Sequence, residues 1–203
     1  MQIRAIFRAV EVAGTPPPFN VIHAKVFYPA LDPETDDQRN SGILAPVPAD
    51  KPRKVVIFLN GINCPPESYT WLAHEMCRAG HLFVTFSWIT DVLPGGMHGL
   101  TPGLDMAFMN ADNYGKGATG SAIAPIIGDL ELLNSTGLLA GQIDLDHIIL
   151  GGHSAGGSVA LTNTSYFPAV KAVFSYGAHT QGSQANEHPG EGRIDSHSRC
   201  AHA

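Results

Sequence analysis

The feature that most constrains the fold is an alternation of apolar runs with segments of helical spacing between residues 55 and 177. The run "VVIFLN" (55–60) is typical of a strand buried on both faces, and "HLFVTFSW" (81–88), "HIILGG" (147–152) and "VKAVFSYG" (170–177) supply further strands. Three segments have helical spacing: residues 66–79, a segment that begins at Ile123, and a segment that begins after residue 154. Strands and helices in this order predict an α/β protein with a mostly parallel sheet and right-handed crossovers.

The segments outside this alternation are more varied. Residues 3–12 and 21–28 partly alternate apolar and polar residues around the turn "GTPPPFN", which predicts a leading antiparallel pair. Residues 30–53 are polar and proline-rich, as in a solvated connection. Residues 91–117 have no sustained period, so we expect a long loop that acts as a lid or binding loop, or is mobile without a function.

Length, charge and cysteine content limit the class of protein. A chain of 203 residues that is 44% hydrophobic fits one domain, with a core over 1–180 and a disordered tail over 181–203. The net charge of −6 without a basic block argues against nucleic acid or anionic membrane as partners. No segment has the composition of a secretion signal or a transmembrane span, and three cysteines are typical of free thiols. We therefore expect a cytoplasmic protein.

The stretch "GGHSAGGS" (151–158) contains a Gly-x-Ser-x-Gly pattern between a buried strand and a helix. This is the context of a nucleophile elbow, in which a sharp turn exposes the hydroxyl of Ser154 at the N-terminal end of a helix. Gly152 and Gly156 would remove the clashes that side chains would make in such a turn. The alternative is a glycine-rich turn with an ordinary capping serine.

Acyl transfer by a serine also needs backbone N–H groups that bind the developing oxyanion. The N–H of Ala155 is one candidate. The second is expected in the "NGIN" segment (60–63) that follows the 55–60 strand, and we nominate Ile62, although the spacing does not distinguish Ile62 from Asn63.

The "NGIN" strand end, the segment "SYTWLAHEMCRAGHLFVTFSW" and the "GGHSAGG" elbow together resemble the α/β-hydrolase superfamily over about residues 20–180. Within it they are most similar to chlorophyllases, dienelactone hydrolase-like enzymes and bacterial polyester hydrolases. The resemblance implies a serine hydrolase that acts on a hydrophobic carboxylic ester without a cofactor, with a serine, acid and histidine in that order. Asn60 departs from the pattern, since many relatives have a histidine there.

The resemblance is incomplete after the serine. Residues 155–180 accommodate one helix and one strand, and the remainder has one large aliphatic residue, Ile194, so the last strands of the fold are expected to be missing. The candidates for the base are His179 and His197, and the candidate for the acid is Asp195. The competing hypothesis is therefore a truncated, catalytically inactive remnant.

Other patterns favour structural roles. His153 is expected to orient or pack rather than act as the base. The spacing of His197, Cys200 and His202 favours adventitious binding over a designed metal site, and "GKG" (115–117) is not a phosphate loop. We therefore predict no metal or cofactor.

Two further expectations concern apolar surface. With the last strands missing, the 170–177 strand would be an exposed sheet edge that favours self-association. Four side chains between 97 and 109 line an apolar pocket or pack in the core, with neither alternative favoured: Met97, Met106, Phe108 and Met109.

Overall fold

The computed structural model describes residues 1–93, 96–104 and 118–178. Its strands are β1 (Gln2–Glu11), β2 (Val21–Ala30), β3 (Arg53–Leu59), β4 (Leu82–Ser87), β5 (Ile89–Leu93), β6 (Met97–Leu100), β7 (Ile143–His153) and β8 (Val170–Tyr176). Its α-helices are α1 (Asp36–Ser41), α2 (Thr70–Arg78), α3 (Ile123–Ser135) and α4 (Ala155–Asn163).

Six of the strands form one mixed sheet in the order β1-β2-β4-β3-β7-β8. β1 and β2 pair antiparallel, as predicted, and β2 also runs antiparallel to β4. The strands β4, β3, β7 and β8 are parallel to one another, which confirms the crossover arrangement predicted from the alternation. The carboxyl ends of β3 and β7 therefore lie at the same edge of the sheet, where open α/β sheets place their ligands.

Helices cover both faces of this sheet. Alternate residues of β3 point to opposite sides, so that Val55, Ile57 and Leu59 pack in a cluster with residues of α3 and α4. Val56 and Phe58 pack in a second cluster that includes Ala73 and Cys77 of α2. The predicted α/β architecture is thus confirmed, and the sheet lies between two helical layers.

Three local expectations need correction. The loop expected over 91–117 is wrong for its first part, because β5 and β6 pair there as an antiparallel hairpin, and residues 94–95 and 105–117 lie outside the described residues. The two strands, ITDVL and MHGL, do not alternate apolar and polar residues, so their sequences do not indicate strands. The connection 30–53 contains α1, whose N-terminus has a capping box between Thr35 and Gln38. Leu44 in the same connection is completely buried. The helix predicted over 66–79 is divided into a 3-10 turn (Pro66–Tyr69) and α2.

Within the described ranges, no helix is both long enough and apolar enough to cross a membrane. β8 is the outermost strand on its side of the sheet in the part of the chain that the structure describes. The other outer strand is β1.

Candidate active site

Ser154 is the single residue between the end of β7 and the start of α4, and it has φ 53° and ψ −125°. A residue with a side chain is strained in this region, at a cost of roughly 1–3 kcal/mol. Its side chain is half-buried, and no described residue forms a hydrogen bond with its hydroxyl. The strand-to-helix turn therefore presents the hydroxyl of Ser154 at the carboxyl end of β7, without a partner among the described residues.

The glycines on either side of Ser154 are required by close backbone approach. A Cβ on Gly156 would lie 2.2 Å from the carbonyl oxygen of Asn60 and 2.3 Å from that of Leu59. A Cβ on Gly152 would lie 2.4 Å from the carbonyl oxygen of Gly156. Because these neighbours are backbone atoms, the first turn of α4 can pack against the end of β3 only with glycine at 156, and against β7 only with glycine at 152.

This packing brings the elbow beside the segment that follows β3. Among the described residues, no acceptor is bonded to the N–H of Ile62 or to that of Ala155. The N–H of Asn63, by contrast, donates to the carbonyl oxygen of Leu100 at 3.0 Å. Of the two N–H groups that the spacing left open, the one on Ile62 is thus free of an acceptor in the described part of the chain.

A buried tyrosine hydroxyl connects the two segments. The N–H of Gly61 donates to the hydroxyl of Tyr69 at 3.0 Å, and the same hydroxyl lies 3.0 Å from Nδ1 of His153. The ring of His153 also stacks on that of Tyr176, with 4.7 Å between centroids. The sequence pattern missed the role of Tyr69, since its spacing marked it only as an apolar helix position.

His153 is therefore turned towards Tyr69 and Tyr176, and none of its described hydrogen bonds involves Ser154. Burial lowers the pKa of its imidazole below the usual value. His153 thus packs between the two tyrosine rings, and its orienting role stays a prediction.

Asn60, which stands where many members of the resembled superfamily have a histidine, connects two strand ends. Asn60 is fully buried, and its Nδ2 donates to the carbonyl oxygen of Phe86 at the end of β4. Its Oδ1 has no hydrogen-bond partner among the described groups. The side chain therefore ties the ends of β3 and β4 together beneath the 60–63 segment.

Several predicted site residues lie outside the described residues: His179, His197 and Asp195, and also Met106, Phe108, Met109, Cys200 and His202. Among the described side chains, no group of three or more His, Cys, Asp or Glu residues could hold a metal ion. Met97 is described, and its side chain is 64% exposed, so core packing is the wrong interpretation for this residue. A cavity of about 640 Å³ between β1 and the end of α3 contains no residue of the elbow or of the 60–63 segment.

No protein-family model and no curated protein sequence matches the chain. Among solved structures, it is similar to a dienelactone hydrolase-like promiscuous phosphotriesterase from metagenomic libraries, with a TM-score of 0.53 and 11% identity over 87% of this chain and 59% of that one. A dienelactone hydrolase from Anabaena variabilis matches with a TM-score of 0.49 and 15% identity over 88% and 65% of the two chains. A ferulic acid esterase from Streptomyces cinnamoneus matches with a TM-score of 0.49 and 15% identity over 83% and 56%.

The sheet order, the covering helices and the first of these likenesses define the class of the protein: it has the α/β-hydrolase fold. The named neighbours are hydrolases, of dienelactone hydrolase-like and esterase types. The chain spans 56% to 65% of the length of these structures. At 11% identity the likeness to the first of these structures shows the fold alone, and activity must be argued from the site.

Proposed function

We propose that the protein is a serine hydrolase that cleaves a carboxylic ester through an acyl-enzyme on Ser154. The observation that carries this proposal is the backbone of Ser154, a strained non-glycine residue between β7 and α4 whose hydroxyl has no described partner. Strain of this kind persists only where the surrounding structure imposes it, and it is concentrated at functional sites. Here Ser154 lies between β7 and α4, which approach closely because Gly152 and Gly156 have no side chains.

The proposed reaction is acyl transfer through the hydroxyl of Ser154. A base removes the proton of Ser154 as the oxygen attacks the ester carbonyl, and the negative charge develops on the carbonyl oxygen. The N–H groups of Ile62 and Ala155 stabilise that charge. The alcohol leaves with the proton from the base, and a water molecule then releases the acid from Ser154. His179 and His197 remain the proposed bases, and Asp195 the proposed acid.

A hydrophobic ester, of the kind cleaved by chlorophyllase-like enzymes, is the proposed substrate. The β5–β6 hairpin is hydrogen-bonded to the 60–63 segment through Asn63 and Leu100. It carries two exposed apolar side chains, Ile89 at 49% and Met97 at 64% exposure. An apolar surface beside the proposed oxyanion hole favours apolar over charged esters.

Covalent labelling tests the nucleophile. The chain is treated with a fluorophosphonate, and the adduct is detected by intact mass. We expect one adduct on the parent chain, none on Ser154→Ala, and an unchanged adduct on Ser68→Ala, which removes an exposed serine near the 60–63 segment. Burst kinetics with p-nitrophenyl esters of increasing acyl length then test the preference for apolar substrates.

The competing hypothesis, an inactive remnant, gives the opposite result. Its supporting observation is that no described histidine is hydrogen-bonded to Ser154. A folded parent chain that forms no adduct and shows no burst would contradict the proposed function and favour the remnant.

A further inference from the structure

The Tyr69 hydroxyl is the hydrogen-bonded link between the 60–63 segment and the elbow. It accepts from Gly61, the residue before Ile62, and it meets His153, the residue before Ser154. We propose that Tyr69 is a positioning residue that holds the two N–H groups of the oxyanion hole in register. This inference rests on the proposed function, because it assigns the way in which that site is aligned.

The direction of the hydrogen bonds supports this role. Because the Gly61 N–H must donate, the Tyr69 oxygen accepts, and the phenolic proton is available for Nδ1 of His153. Burial raises the pKa of Tyr69, so the phenol keeps this proton. Nδ1 then accepts, and the neutral imidazole of His153 carries its proton on Nε2.

Packing fixes the link in space. Tyr69 is 2% exposed, and its ring lies 4.7 Å from that of Phe58 in β3. His153 is held on its other side by Tyr176 of β8. A Cβ on Gly61 would lie 2.9 Å from Sγ of Cys64 and 3.0 Å from Nδ1 of His153, so the 60–63 segment packs directly against the His153 ring. There is thus little room for either segment to move while the hydroxyl is present.

Removing the hydroxyl leaves the Gly61 N–H and His153 Nδ1 without their common partner. The 60–63 segment can then move relative to the elbow, and the Ile62 N–H with it. Displacements of about 1 Å in a catalytic arrangement cost up to about 100-fold in rate. We expect Tyr69→Phe to lower kcat by roughly 10- to 100-fold with little change in KM, because the oxyanion exists only in the transition state.

The control is Tyr28→Phe, which also removes a buried hydroxyl, one that donates to the carbonyl oxygen of Leu44 away from the elbow. We expect similar stability losses in the two variants but a fall in kcat only in Tyr69→Phe. A tetrahedral phosphonate or trifluoromethyl ketone should lose affinity for Tyr69→Phe by the same factor as kcat. Equal effects on kcat in the two variants, or an unchanged kcat in Tyr69→Phe, would overturn the proposal.

A measurement that does not need activity separates this inference from the proposed function. Nitrogen-15 NMR of the full parent chain should show His153 as the Nε2–H tautomer. In Tyr69→Phe, the chemical shift of Nδ1 should change, and the amide hydrogen of Gly61 should exchange at least about 10-fold faster. If these signals do not change, the link is absent and the inference is wrong. If they change while the parent chain forms no fluorophosphonate adduct, the link stands and the proposed function fails.

Discussion

Asn63 and Leu100 are joined by two hydrogen bonds: the N–H of Asn63 donates to the carbonyl oxygen of Leu100 at 3.0 Å, and the N–H of Leu100 donates to Oδ1 of Asn63 at 2.9 Å. Asn63 has φ 56°, in the left-handed region that asparagine tolerates better than most residues. The pair therefore attaches the β5–β6 hairpin to the segment that carries Ile62.

Asn63→Ala should destabilise the protein and weaken the attachment of the hairpin. It loses one side-chain hydrogen bond, about 1 kcal/mol, and places alanine at positive φ, about 1 kcal/mol more. Asn63→Gly loses the same bond without the backbone strain, so its free energy of unfolding should be higher than that of Asn63→Ala. Denaturant unfolding measures both, and equal stability of the two variants would contradict the assigned strain.

Gly156→Ala should be among the most damaging small substitutions in the chain. Its Cβ would meet two backbone carbonyl groups at 2.2 and 2.3 Å, which can separate only if α4 moves away from β3. We expect a loss of about 3 kcal/mol or more in the free energy of unfolding, or no folded protein.

Gly157→Ala is the matched control for Gly156→Ala. It lies in the same helical turn, but its Cβ would meet the nearest atoms, the Cβ atoms of Ala178 and Ser175, at 3.0 Å. Thermal unfolding of the two variants should therefore show a much smaller loss for Gly157→Ala. Equal losses would show that the close approach to β3 is not the cause.

The sequence predicted the parts of the fold that depend on local pattern. Apolar runs gave the four parallel strands, and the Gly-x-Ser-x-Gly context gave the elbow, because each pattern is specified by residues adjacent in the chain. The hydrogen bonds of Tyr69 with Gly61 and His153 were missed, since they join residues up to 84 positions apart and a tyrosine on a helical face is usually core. The left-handed backbone of Asn63 was indicated in the sequence only by the residue type, since asparagine tolerates this conformation. The base and acid candidates stay predictions.

Ser154→Gly should separate stability from function. Glycine adopts the φ of 53° without steric cost, so the variant should regain part of the roughly 1–3 kcal/mol of strain while it loses the fluorophosphonate adduct. Ser154→Ala removes the same hydroxyl but keeps the strain. We therefore expect Ser154→Gly to unfold at a higher denaturant concentration than Ser154→Ala, and the reverse order would contradict the strain at this position.

Stability should fall in mildly acidic solution because of His153. Burial lowers the pKa of its folded-state imidazole below the ordinary value of 6.5. Below pH 6.5 the unfolded chain therefore takes up a proton before the folded one, and stability is lost until the pH reaches the folded pKa. Above this window both states are neutral and the contribution does not change.

Unfolding measurements from about pH 7.5 downwards through pH 6.5 follow the onset of this loss. His153→Gln removes the imidazole and retains a hydrogen-bond acceptor for Tyr69, so its stability should depend less on pH. Burial also lowers the pKa of His81, so His153→Gln should retain a residual slope. A profile identical to that of the parent chain would show that His153 contributes nothing to the acid sensitivity.

We expect the edge of β8, which is unpaired among the described residues, to cause self-association. Among the described residues, β8 pairs with β7 alone, and Lys171 and Ala172 are exposed on it. Unpaired N–H and C=O groups on an edge strand can pair with the same strand of a second chain, and edge charges oppose this pairing. We expect Ala172→Lys to reduce a concentration-dependent dimer in sedimentation velocity, whereas Ala124→Lys on the exposed side of α3 should leave it unchanged. A parent chain that sediments as a monomer at every concentration would contradict the proposal, because the edge of β8 would then be unavailable for pairing.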